Sequence, residues 1–228
     1  KSLQFGRVVT VVAMEMLKDY ALRWVTSGME KDGSVFLSHV NIVPKLAECD
    51  CVAMQLPSDP KQLTLAAHSI GALEKSKISC VFFTELSSAE AKELASGSFG
   101  EDFRVVLAPD TAAGWKRFLV SPKAPPVVVA ELPKQRTADV VQDLQEAGHC
   151  VLYVGANEDE LDAVGVATIP GAFGINGCEA VQNAAELVLI SNFLGSLAFA
   201  KHRCAIASAS PEKFVLYSLC PKCSPVTV

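Results

Sequence analysis

Val151-Leu-Tyr-Val154 is the most constraining run in the chain: four residues without a charge, stopped by Gly155 and followed by Asn157, Glu158 and Asp159. A strand with one wet face alternates apolar and polar side chains. A strand that is apolar throughout is covered on both faces, as in a parallel sheet. The run therefore predicts a central strand with an acidic turn at its carboxyl end, where open α/β sheets bind ligands. Carboxylates gathered there suit Mg²⁺, which takes oxygen ligands and keeps several waters. The same acids also suit the first turn of a helix, near the positive end of its dipole, and spacing alone favours that plainer role. Further on, Val164 to Ile169 reads as a second short buried strand, and Gly171 to Gly177 as a glycine-rich loop.

The pattern on either side is an alternation of the two periods. Leu63 to Lys75, Ser87 to Ala95, Thr111 to Leu119, Thr137 to Ala147, Glu179 to Ala185 and Asn192 to Ala205 read as helices. Ser87 with Glu90 has the spacing of a capping box, and Gly148 follows a helix end in the favoured position. Ile78 to Phe83, Arg104 to Ala108, Val127 to Ala130 and Leu187 to Ile190 read as strands. Strands separated by single helices imply βαβ units. The expectation is an α/β fold with a Rossmann-like, doubly wound parallel sheet and helices on both faces. Phe5 to Trp24 is apolar and then amphipathic, and is expected to be a helix leading into the domain.

Composition agrees and excludes some partners. With 228 residues and half of them hydrophobic, the chain can bury a large core. A net charge of -5 gives no electrostatic basis for binding nucleic acid. The eight cysteines, several within apolar strands, fit a reducing compartment better than a disulfide framework. Cys220 and Cys223 have the spacing of a metal knuckle, but a structural zinc site needs a second ligand pair. Asp59 before Pro60 and Asp110 after Pro109 read as helix caps, Asp50 as a strand-edge residue. Opening on Lys1, the sequence is expected to be a segment of a longer chain.

Several segments, taken in order, resemble the phosphorylation domain of a P-type transport ATPase, a haloacid-dehalogenase-like (HAD-like) fold. They are Asn41 to Met54, Phe82-Phe-Thr84-Glu85, Leu132-Pro-Lys-Gln-Arg-Thr137, Val154-Gly-Ala-Asn-Glu-Asp159, and Gly177 to Leu197 with His202-Arg203. The resemblance implies three parts: a helical stalk-like lead-in over 1–36, the HAD-like domain over 37–205, and a stalk-like tail over 206–228. It also implies a place at the cytosolic face of a membrane, with the other domains of a P-type-ATPase-like membrane protein as partners.

The departures decide the function that the resemblance implies. Gln55 stands where the family has its phosphoryl-accepting aspartate, and a carboxamide cannot form an acyl phosphate. Thr84 retains the family's hydroxyl. Arg136 or Thr137 falls at the family's lysine, and arginine is no simple substitute for lysine at such a site. Gly155 and Asn157 remain as phosphate-side positions, and Glu158 and Asp159 as the remnant of a Mg²⁺ motif, with weak binding expected. Gln55 and Thr84 are 29 positions apart, too close for the nucleotide-binding domain that the family inserts between them. The expectation is a catalytically silent domain with a structural, regulatory or interaction role. Two alternatives stay open: a fragment or engineered form of an active ion- or lipid-transporting ATPase, and a small HAD-like phosphatase using a different acid.

Overall fold

The computed structural model describes residues 35–37, 42–100, 102–109, 114–115, 125–190 and 193–209. In chain order the strands are β1 (Val35–Leu37), β2 (Cys51–Gln55), β3 (Ser79–Phe83), β4 (Arg104–Leu107), β5 (Val127–Ala130), β6 (Val151–Gly155), β7 (Ile169–Phe173) and β8 (Leu187–Leu189). The helices are α1 (Ile42–Glu48), α2 (Pro60–Lys75), α3 (Ser88–Phe99), α4 (Thr137–Glu146), α5 (Leu161–Val166), α6 (Glu179–Ala184) and α7 (Gly195–Ala209). The strands form one sheet in the order β1-β8-β7-β6-β2-β3-β5-β4. Seven are parallel, and β1 pairs antiparallel with β8 at the edge.

Alternation along the central strands builds two apolar layers. Val52 and Met54 of β2, Phe82 of β3, and Leu152 and Val154 of β6 face the layer that contains α1, α2, α3 and α7. Cys51, Ala53, Val81, Phe83, Val151 and Tyr153 face the layer of α4, α5 and α6. Because both faces are covered, Val151 to Val154 are at most 1% exposed. Each large apolar side chain buried this way stabilises the fold by roughly 1.5–3 kcal/mol. The α/β architecture expected from the alternation is therefore the one that forms.

Local signals act as their chemistry requires. Asp59 accepts from the Lys61 N–H and caps α2, which begins at Pro60. Ser87 and Glu90 form the full capping box of α3. Gly148 takes φ +100 at the end of α4, in the left-handed region open to glycine. Asp50 ties the amino ends of β2 and β6 together, accepting from the Cys150 N–H (2.8 Å) and contacting His149 Nδ1 (3.0 Å).

The segment after β6 differs from the sequence reading. Val164 to Ile169 is not a strand: α5 occupies Leu161–Val166, and the next strand is Ile169–Phe173. Six helical residues of mostly small apolar type are too short to display a 3.6-residue period. Gly171 is accordingly a strand residue. A Cβ there would come within 2.9 Å of the Tyr153 carbonyl oxygen. The expected helix at 111–119 is described only at Gly114 and Trp115, which are helical, and Asp110, Cys220 and Cys223 lie outside the described residues. So do residues 1–34 of the expected lead-in and 210–228 of the expected tail.

Candidate functional site

The chain runs from β2 to β3 on one side and later returns from β5 to β6 on the other side of β2. Connections that diverge in this way leave a crevice at the carboxyl ends of the two central strands. Gln55 ends β2, Thr84 follows β3, and Ala156 and Asn157 follow β6. All four line one cavity of about 370 Å³, together with Lys134 and Glu160.

Gln55 is tied into a polar network. Its Nε2 donates to Thr137 Oγ1 at 3.2 Å. The Tyr153 hydroxyl donates to Glu160 Oε2 at 3.0 Å. Glu160 Oε1 accepts from the Asn157 N–H and Nδ2, each at 3.1 Å, and from the Ala156 N–H at 3.4 Å. Glu160 is 3% exposed, and burial raises its carboxyl above the ordinary carboxylate range, with these hydrogen bonds opposing the shift. Tyr153 is pushed well above the ordinary phenol value, first by burial and then by the Glu160 charge, with Gln55 opposing. Four donors on a buried carboxylate describe an anchor for the β6–α5 turn, because unmade bonds there cost about 1–3 kcal/mol each.

Lys134, which lines the cavity, is paired with Asp159. Lys134 Nζ donates to Asp159 Oδ2 at 2.5 Å, and this contact is the leading cause of the rise in the lysine's pKa. Lys134 also presents its backbone N–H to Glu85 Oε1 at 3.3 Å. Arg136 is exposed at the start of α4 and does not line the cavity. Glu158 is exposed, while Asp159 borders a neighbouring recess with Lys134 and Asp162. Of the expected Mg²⁺ positions, Asp159 thus carries an ammonium on one oxygen and Glu158 faces solvent. Among the described residues no group of three or more acidic, histidine or cysteine side chains is disposed to hold a metal.

Other expected positions make local contacts. Gly155 is buried, and a Cβ there would lie 2.7 Å from Val164 Cγ2 and 3.1 Å from Val181 Cγ1, so glycine lets α5 and α6 sit against β6. Thr84 is 7% exposed, and its Oγ1 accepts from the Leu86 N–H at 3.3 Å. In the glycine-rich loop, Gln182 Nε2 donates to the carbonyls of Phe173, Gly174 and Gly177. Turn geometry therefore explains that loop.

The polar roles of Lys134, Tyr153, Thr137 and Glu160 were not read from the sequence. One signal was available. A tyrosine inside a wholly apolar strand needs a partner for its hydroxyl, and acids stand a few residues beyond it.

Solved structures share this fold. A zinc-transporting PIB-type ATPase superposes with a TM-score of 0.63 at 11% identity. That match takes in 92% of this chain and 51% of the ATPase, so the chain spans about half its length. Two structures of the catalytic domain of the CPx-ATPase CopB-B, one of them concerned with conformational changes upon nucleotide binding, give TM-scores of 0.51 and 0.53, both at 12% identity. They cover 75% and 78% of this chain and 97% and 98% of their own. At these identities the likeness is one of fold. No family model matches the sequence, and no curated protein matches it.

Proposed function

We propose that the chain is a catalytically silent, HAD-like phosphorylation-domain module of a P-type-ATPase-like membrane protein, with a structural or regulatory role. One observation carries the reading. The side chain at the end of β2, where the resemblance puts the acceptor aspartate, is the carboxamide of Gln55, engaged with Thr137. Acyl-phosphate formation needs a carboxylate nucleophile, and phosphoryl transfer rests on charge neutralisation at the site. Two further observations support the reading: Lys134 is paired with Asp159, and Arg136 does not line the cavity.

The partners in this reading are the other domains of the parent protein, at the cytosolic face of a membrane. Buried free thiols such as Cys49, Cys51 and Cys80 agree with a reducing compartment. Among the described residues no helix is long and apolar enough to cross a membrane.

Incubating the full chain with radiolabelled ATP or acetyl phosphate and Mg²⁺, followed by acid quenching, tests the reading. No bound label is expected. An acid-stable, hydroxylamine-sensitive label would overturn it and favour an active ATPase-like or phosphatase-like site. Mg²⁺ itself should bind with a millimolar dissociation constant or not measurably, since Asp159 holds an ammonium. A micromolar constant by calorimetry that disappears in Asp159→Ala would refute this.

A further inference from the structure

The cavity at the carboxyl edge has one apolar wall and one polar wall. Met54, Ala66, Leu94, Val154, Phe173 and Leu194 line it on the side of α2, α3 and α7. The half-buried Gln62 and the exposed Ser58 and Asn176 also line it, and their side chains make no hydrogen bond to a described residue. The Thr84 oxygen accepts from Leu86, which leaves its hydroxyl hydrogen for another acceptor. At about 370 Å³ the space falls within the range of small-molecule sites, roughly 300–1,000 Å³.

Charge selects among possible occupants. The one cation lining the cavity among the described residues, Lys134, is held by Asp159, and Glu85 and Glu160 stand nearby. An anion would meet two carboxyl groups and no uncommitted cation. An organic ammonium gains little either, because both Glu160 oxygens already accept protein donors and Glu85 Oε1 accepts from the Lys134 N–H. Gln62 and Asn176 offer carboxamides, which both donate and accept, so their complement is another amide.

We infer that this cavity binds a small uncharged molecule with a planar apolar ring and a carboxamide-type edge. The ring packs on Met54, Phe173 and Leu194, and the amide meets Gln62, Asn176 and Thr84. The inference rests on the reading of the domain as catalytically silent, since an active site would have to be complementary to phosphate. Benzamide, benzoate and benzylamine share one ring and differ in charge, and they serve as probes beside inorganic phosphate.

Titrating each into the full chain, followed by two-dimensional amide NMR, gives the test. Benzamide should shift the signals around Thr84, Asn157 and Asn176 saturably in the millimolar range expected for a fragment of its size. Benzoate, benzylamine and phosphate should bind at least tenfold more weakly. Gln62→Ala, at a half-buried helix surface, should weaken benzamide at least fivefold without changing the melting temperature. Equal or tighter binding of benzoate or phosphate would overturn the inference, as would a benzamide response indifferent to Gln62→Ala or no benzamide response at all. Failure of the benzamide series leaves the unlabelled acceptor position standing, whereas a phosphoryl label removes that reading directly.

Discussion

Glu160 shows how one residue at this site is set by its surroundings. Its carboxyl is raised above the ordinary value of 4.5 in the folded chain, burial being the first cause. The folded state therefore holds the proton more tightly than the unfolded one. The contribution of this group to stability is largest below the ordinary value and is lost as pH rises through the raised one. Glu160→Gln keeps an acceptor for Asn157 and removes the charge, so urea midpoints measured from pH 4 to pH 8 should lose part of their downward slope. Glu160→Ala leaves the Tyr153 hydroxyl and the Asn157 N–H without their partner and should cost about 1–3 kcal/mol throughout. A Glu160→Gln chain with the parent's pH slope would contradict this account. Residues of this kind were hard to read in the sequence. Glu158, Asp159 and Glu160 are three adjacent acids, and only the fold turns one inward to Tyr153 and another outward to Lys134.

Among the elements, legibility followed length and period. The span Leu63 to Lys75 repeats its apolar residues often enough to declare a helix, and the structure extends it only to Pro60. Val127–Ala130 and Val151–Val154 declare themselves as buried strands by having no charged position. Helix α5 was missed because Ala163-Val-Gly-Val-Ala167 is as consistent with a strand as with one and a half helical turns. Its placement depends on Gly155, which no periodicity could reveal. Gly155→Ala should force Val164 and Val181 away from β6, an overpacking cost of about 1–3 kcal/mol. Thermal unfolding measures it, and an unchanged midpoint would show that α5 and α6 yield freely. Strand β1, three residues at the edge, carries no sequence signal of its own and is held by pairing with β8.

For the whole molecule, the order of strands and helices was legible and the pairing of charges was not. Alternation of the two periods implied a parallel sheet covered on both faces. The resemblance placed Gln55, Thr84 and Asn157 at strand ends, and one cavity brings them together. Matching segment by segment pointed to Arg136 as the cation, whereas Lys134 reaches the cavity and is neutralised by Asp159. That pairing is a property of two loops meeting across the sheet edge, 25 positions apart in the chain. It is also why restoring one residue should not restore chemistry, since groups that act as a unit do not contribute additively. The most direct measurement is acid-quenched labelling of the Gln55→Asp chain by acetyl phosphate in the presence of Mg²⁺. The account predicts no hydroxylamine-sensitive label, because the new carboxylate would lack both a free cation and a metal site. A label retained on the aspartate introduced at position 55 would contradict it, and would mean that the site had lost nothing but its nucleophile.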